Sequence, residues 1–238
     1  MSFRVQAHNT AAESENKIHD DRVAAAYGFR GGLVPGVTVY GYMVPAVIGR
    51  WGHDWLERGS VSVRFQAPFY EGEWVVSSCE GAEVRAERVD GTLCASGQIS
   101  IGVNDPSDFP EHPLPEMEHR PAVTTIDAGL PLGTLLQPLD VETSDAIPER
   151  LLWMANHILV CNFQMGPWIH VGSEVHHHQL AELGEELAVR GRIEECFERK
   201  GRKFAMAGLA FSGASGRPVA SLRHTFIYGL EPDTMGKS

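Results

Sequence analysis

The sequence predicts an α+β protein in which two similar units each wrap one long buried helix in a curved antiparallel sheet. Three observations predict it. Residues 36–50 and 149–163 are apolar nearly all round, which marks a helix buried on most sides and not one lying on a surface. Each is followed by runs that alternate apolar with polar residues, as half-buried strands do. Finally, a single offset lays Val63 over Val175, Gly72 over Gly184 and Glu73 over Glu185, and within one residue sets Pro35 over Pro148. A shared offset in two separate segments suggests duplication.

Taken in order, the first unit spans 1–104. After its helix, in which Pro45 predicts a kink, Val61, Val63 and Phe65 alternate with Ser62 and Arg64, and Ile99, Ile101 and Val103 alternate with Ser100 and Gly102. Asp90-Gly91 sits between strand-like runs, as a hairpin turn does. Residues 105–121 then carry Pro106, Pro110, Pro113, Pro115 and Pro121 among Asp105, Asp108, Glu111, Glu116 and Glu118. Proline at that density fixes φ and removes donors, so this segment reads as an extended linker. The second unit, 122–238, repeats the theme with its helix, with Leu187, Val189 and Ile193, and with the run 204–211, Lys200-Gly201 marking a second hairpin.

Composition narrows the function. The chain has 238 residues, 43 % hydrophobic and 21 % charged, in the range of ordinary globular proteins and not of disordered ones. Lys and Arg number 20 against 31 Asp and Glu, a net charge of −11. A field of that sign repels phosphate backbones and anionic bilayers, so nucleic-acid and membrane-surface partners are not expected. A local cluster can still hold a small anion. The most apolar stretch, 37–48, is broken by Gly41 and Pro45 and falls short of the ~20 residues a crossing needs. No secretory leader is legible at the start, so a cytoplasmic location is expected.

Cys79, Cys94, Cys161 and Cys196 form no Cys-x-x-Cys pair and read as reduced, buried thiols. The run His176, His177, His178 has two members on one strand face and the middle one on the other, with no third ligand in view, so no metal is expected. Arg199, Lys200, Arg202 and Lys203 surround Gly201 as a hairpin tip, either merely solvated or in reach of phosphates. Trp51, Trp55, Trp74, Trp153 and Trp168 are expected in the core or between the units.

The most informative segment is 16–43, NKIHDDRVAAAYGFRGGLVPGVTVYGYM. It resembles the active-site region of the MaoC-like, R-specific enoyl-CoA hydratase family. In that family an Asp-x-Asn-Pro-x-His loop precedes a short helix, an Ala-Gly-Phe-like turn and a His-Gly-Met-like start to the central helix. Asn16 and His19 keep their places, the run Ala26, Tyr27, Gly28, Phe29 supplies the turn, and Pro35-Gly36-Val37 opens the helix. Residues 61–76 with Pro68 and Gly72-Glu73, and in the second half 156–170 and 185–203, resemble the remainder of a double-hotdog member. The resemblance implies an α+β double hotdog, active on an acyl-CoA or acyl-carrier thioester as monomer or homodimer, with no cofactor beyond the coenzyme A of the substrate.

Hydrating a trans-2-enoyl thioester needs a group that takes a proton from water, a group that protonates the α-carbon, and donors for the enolate oxygen. The resemblance makes His19 the acid/base and the Gly36 amide the oxyanion donor, with Ser14 or Asn16 holding water and Val37, Tyr40 and Phe65 lining the substrate. The chain departs from the pattern at three places: Ser14 stands where the family has Asp, Pro35 where it has His, and Lys17 where it has Pro. Glu13, Glu15 and Asp20 lie near the missing carboxylate, while 130–147, in place of a second active loop, has no histidine. Asn156 and His157 in the second helix either reach a cleft between halves or are satisfied within the core. A hydro-lyase is therefore the first expectation. An acyl-CoA thioesterase, for which Glu149 would be the helix carboxylate, and a non-catalytic acyl-thioester binder are the alternatives.

Overall fold

A computed structural model describes residues 2–102 and 121–232; the expected linker, apart from Pro121, lies outside the described residues. The first half contains β1 (Ser2–Gln6), α1 (Asp21–Ala26), α2 (Gly36–Trp51), α3 (Trp55–Arg58), β2 (Gly59–Phe65), β3 (Trp74–Glu80), β4 (Glu83–Arg88) and β5 (Leu93–Ile101). The second contains β6 (Leu135–Pro138), α4 (Ile147–Asn162), β7 (Ile169–His177), β8 (Glu186–Arg199), β9 (Arg202–Ser212) and β10 (Pro218–Tyr228).

All ten strands join one antiparallel sheet in the order β1-β3-β4-β5-β2-β7-β10-β9-β8-β6. Counted outward from the centre, each half runs through its post-helix strand, last strand, third strand, second strand and an edge strand. The halves meet where β2 pairs β7, Val61 opposite Val175 and Val63 opposite Ser173. Gly172 permits this approach: a Cβ there would stand 2.7 Å from the Val63 carbonyl oxygen.

The two helices lie against this sheet and share one apolar core. Helix α2 buries Val37, Val39, Tyr40, Met43, Val44, Ala46 and Val47, each such side chain worth roughly 1.5–3 kcal/mol on transfer from water. It ends at Gly52, whose φ of 77° an L side chain rarely adopts. Pro45, where a kink is expected, does not interrupt the helix. That residue is exposed and the helix runs on through it. Helix α4 begins with Pro148 in its first turn, where a missing N–H costs nothing. The helices touch at Gly41, where any side chain would run into the Glu149 carboxylate.

Both expected hairpin turns are present. Lys200 and Gly201, between β8 and β9, have φ of 52° and 71°, the double positive φ that matches the twist of a two-residue hairpin. Two expectations about aromatic and histidine placement need correction. Trp74 and Trp153 are 42 % and 39 % exposed; Arg4 and Arg150 cover their rings, so cation–π contact replaces burial. His178 does not share a face with His176: β7 ends at His177, alternation stops there, and both His177 and His178 are buried while His176 is exposed.

Asn162, at the end of α4, is 1 % exposed and accepts from the buried Gly133 N–H at 2.8 Å while donating to the Ile158 carbonyl at 2.8 Å. Asn162→Ala leaves that amide without an acceptor, at a cost of roughly 1–3 kcal/mol. Thermal unfolding should register it as a fall of about 2–4 °C per kcal/mol, and an unchanged Tm would refute the bond's role.

Candidate functional site

A cavity of about 760 Å³ opens where the halves meet. Its walls come from the 16–19 loop, the start of α2, the end of β2, α4 through Asn156, the start of β7, and the β8–β9 hairpin. The first-half loop is pinned across the seam. Asn16 Nδ2 donates to the Trp168 carbonyl at 2.9 Å, and the Trp168 N–H donates back to Asn16 Oδ1 at 3.1 Å. Beneath it, Ile18, Ala24 and Leu33 form a small apolar cluster of their own.

That clamp orients His19. Its Nδ1–H donates to the Leu33 carbonyl at 2.7 Å, which leaves Nε2 as the lone-pair nitrogen, 3.4 Å from Asn16 Nδ2. Burial lowers the pKa of His19, only partly offset by the Leu33 carbonyl, so the imidazole is neutral at pH 7. A neutral ring whose N–H is fixed on Leu33 and whose lone pair is met only by the long contact from Asn16 Nδ2 is set up as a base.

Helix α2 reaches the cavity at Gly36. Pro35, at the cap position, makes no side-chain hydrogen bond to the helix start, and the first helical bond runs from Val39 N–H to the Pro35 carbonyl. The amides of the first turn therefore have no helical acceptor, and they carry the positive end of the helix dipole. Space at Gly36 is tight: a Cβ would lie 3.0 Å from His170 Nδ1 and 3.2 Å from the Phe65 ring.

Of the residues expected at the site, Asn16, His19, Gly36 and Phe65 line this cavity. Ser14 does not; its hydroxyl donates to the Asn16 carbonyl at 3.3 Å and so serves the loop. Val37 and Tyr40 are also absent from the walls, being 3 % and 1 % exposed in the core, because the helix turns them away from its open first turn. No Asp or Glu lines the cavity among the described residues. Asp20 caps α1 through the Val23 N–H, and Glu149 faces Gly41 and Thr38 on α2.

The second half contributes one residue that the sequence offered and one that it did not. Asn156 reaches the cavity, whereas His157 stacks on Trp153 with ring centroids 4.9 Å apart. His170 is also in the wall, stacked on His224 at 3.9 Å. Burial pushes His170 down to about 3 and His224 well below its usual range, with His170 adding to the latter. The sequence reading places His170 only within the segment 156–170 and gives it no role. Among the described residues no group of three or more His, Cys, Asp or Glu is arranged to hold a metal. Burial raises all four thiols, so none is an activated nucleophile.

Arg199, Lys200 and Arg202 stand at the mouth, and a second groove of about 370 Å³ continues from it past Arg64, Phe197 and Phe204. None of these four cations is ion-paired among the described residues. No helix among the described residues is long and apolar enough to cross a membrane.

No family model and no curated protein matches the chain. Solved structures do. The chain is similar to GphF Dehydratase 1 (TM-score 0.60, 15 % identity, 97 % of this chain and 93 % of that one). It is also similar to a candidate thioesterase II from Thermobifida fusca YX (0.58, 15 %, 96 % and 92 %). A third is a protein of unknown function with a hot dog fold from Alicyclobacillus acidocaldarius (0.55, 14 %, 97 % and 94 %). At these identities the likeness is one of fold, and the fold is the hotdog.

The buried histidines make stability depend on pH in a stated direction. A base whose folded pKa is lowered takes up its proton in the unfolded chain first, so its contribution is present above about 6.5 and is lost as pH falls below it. Urea unfolding between pH 7.5 and 5 should show stability falling with pH, and His170→Gln should flatten that slope. An unaltered slope in the variant would contradict the burial of a neutral His170.

Proposed function

We propose that the chain is a double hotdog, its units being 1–104 and 122–238, that acts as a hydro-lyase on acyl thioesters, hydrating trans-2-enoyl-CoA or dehydrating a 3-hydroxyacyl-CoA. The observation that carries the proposal is His19, neutral and oriented, sharing one cavity with the uncapped start of α2. His19 Nε2 takes a proton from water as the hydroxyl bonds to C3. The C2=C3 electron pair moves toward the thioester oxygen, where the Gly36 N–H meets the developing charge. The proton on His19 then passes to C2, so water has added across the double bond and the imidazole is neutral again. One base serves both transfers, which suits a cavity wall without a carboxylate.

The mouth supports coenzyme A as carrier. Arg199, Lys200 and Arg202 offer phosphates the charge that the rest of a −11 chain does not, and Phe197, stacked on Phe204 with centroids 5.1 Å apart and 40 % exposed, offers a ring face beside them. Thioester hydrolysis is the second reading, favoured by the thioesterase-like neighbour and by an oxyanion site that would serve either reaction.

The test follows loss of enoyl-thioester absorbance with crotonyl-CoA while a thiol reagent reports free coenzyme A. Absorbance should fall without thiol release, and His19→Gln should lower kcat by at least ~100-fold, the lower end of general acid–base contributions. Thiol release would make the enzyme a thioesterase, and silence in both channels would leave a binder.

A separate measurement addresses the mouth. Arg199→Ala combined with Arg202→Ala should raise KM roughly tenfold, the worth of one charge-assisted hydrogen bond, with kcat unchanged and with the salt dependence of KM reduced. An unaltered KM would return the hairpin to the role of a solvated tip.

A further inference from the structure

His170, Ser173, His224 and Asn156 form a continuous chain of hydrogen bonds through the buried wall of the cavity. His170 Nε2 lies 2.9 Å from Ser173 Oγ, Ser173 Oγ lies 2.9 Å from His224 Nδ1, and His224 Nε2 lies 2.9 Å from Asn156 Oδ1. Their exposures are 7 % for His170, 3 % for Ser173 and 0 % for His224. Three residues apart on a regular strand, His170 and Ser173 would face opposite sides. They share a side because β7 carries a bulge: Gly172 pairs with Thr225 but His170 pairs with Phe226, leaving Val171 as the extra residue.

The chain has a direction, and one end sets it. The Asn156 carbonyl oxygen only accepts, so His224 Nε2 carries the proton that it donates there. His224 Nδ1 is then a lone pair and accepts from the Ser173 hydroxyl. Ser173 Oγ in turn accepts from His170 Nε2–H. This leaves His170 Nδ1 as a lone pair, and that atom has no hydrogen-bond partner although its burial is complete. It sits over the first residue of α2, 3.0 Å from where a Gly36 side chain would begin. An unpaired acceptor calls for a donor; Nδ1 is closed off where the ring packs against Gly36 and Phe65, so a hydroxyl from the neighbouring cavity reaches it only as these give way.

We infer that His170 is a second substrate-contacting histidine, whose Nδ1 lone pair accepts from the attacking water or from the 3-hydroxyl of the acyl chain, and that Ser173, His224 and Asn156 are positioning residues that fix its tautomer. The identity of the hydroxyl rests on the hydro-lyase reading; the tautomer does not. Full burial keeps the ring neutral, so it orients the oxygen while His19 moves the proton.

The tautomer is read first, from two-bond proton–nitrogen correlation spectra of nitrogen-15 histidine-labelled protein at pH 7, His170 being assigned by its absence in His170→Gln. Nδ1 should be unprotonated and Nε2 protonated. Asn156→Asp, which keeps an acceptor, should preserve that pattern, and Asn156→Leu, which removes it, should mix the tautomers. A protonated Nδ1 in the wild type, or a pattern indifferent to Asn156→Leu, overturns the inference whatever the enzyme assay shows.

Ligand contact is read next by adding 3-hydroxybutyryl-CoA and butyryl-CoA, which differ by one hydroxyl. The His170 Nδ1 resonance should move with the first and stay with the second; an equal response to both overturns the contact. In turnover, Asn156→Leu should lower kcat about 10- to 100-fold, by analogy with the loss of a partner that orients a metal-bound histidine, with KM within threefold, and Asn156→Asp should restore it. A chain with the expected tautomer and no turnover by the wild type would overturn the hydro-lyase reading alone.

Discussion

The pairing of β2 with β7 is the constraint on which the rest of the molecule depends. It makes two five-stranded halves into one sheet, and it decides what the cavity contains. Neither half holds a complete site. The first brings His19 and the start of α2; the second brings Asn156, His170 and the backbone of Trp168 that clamps Asn16. A slip of one residue in this register would exchange the two faces of every strand in one half, turning His170 outward and removing the carbonyl that holds the His19 loop. The seam is narrow for a backbone reason, since Gly172 admits the Val63 carbonyl where any Cβ would collide.

Within that frame the electrostatics are unusual for a chain of net charge −11. Among the described residues no carboxylate lines the cavity wall, cations collect at its mouth, and the titratable groups inside are histidines held neutral by burial. His19 gives its Nδ1–H to a backbone carbonyl and meets Asn16 Nδ2 at Nε2, while His170 commits Nε2 to Ser173. The interior thus presents neutral side chains and amide donors, while the exterior rim presents positive charge.

Much of this was legible in the sequence, for reasons that also mark where legibility ends. Both long helices and the strands after them follow from apolar periodicity, and the two hairpins from Asp90-Gly91 and Lys200-Gly201, because these are local properties. His19, Asn16 and Gly36 were singled out from a short motif whose residues fold near one another. His170 and Ser173 were invisible since strand alternation assigns them opposite faces, and only the bulge at Val171 reverses that. The same rule misplaced His178, where the strand ends one residue early. Glu149 looked available at a helix start, but which way that helix faces is set by Gly41 across the helix pair, a contact no local pattern encodes.

The absence of a carboxylate from the cavity wall bears on which reaction the site can run. A histidine paired with Asp can store a proton, because the neighbouring charge stabilises imidazolium; His19 has no such neighbour among the described residues and burial opposes its protonation. Any proton it accepts must leave within the same cycle. Hydration meets that condition by returning the proton to C2, with charge appearing only transiently at an oxygen that the α2 amides face. Hydrolysis of a thioester instead ends with a new carboxylate in a cavity whose cations, among the described residues, are all at the mouth, where only neutral groups and the α2 amides would meet the charge. On the proposed hydro-lyase reading, the same neutral interior that weakens His19 as a proton store suits a reaction whose substrate and product acyl chains are both uncharged.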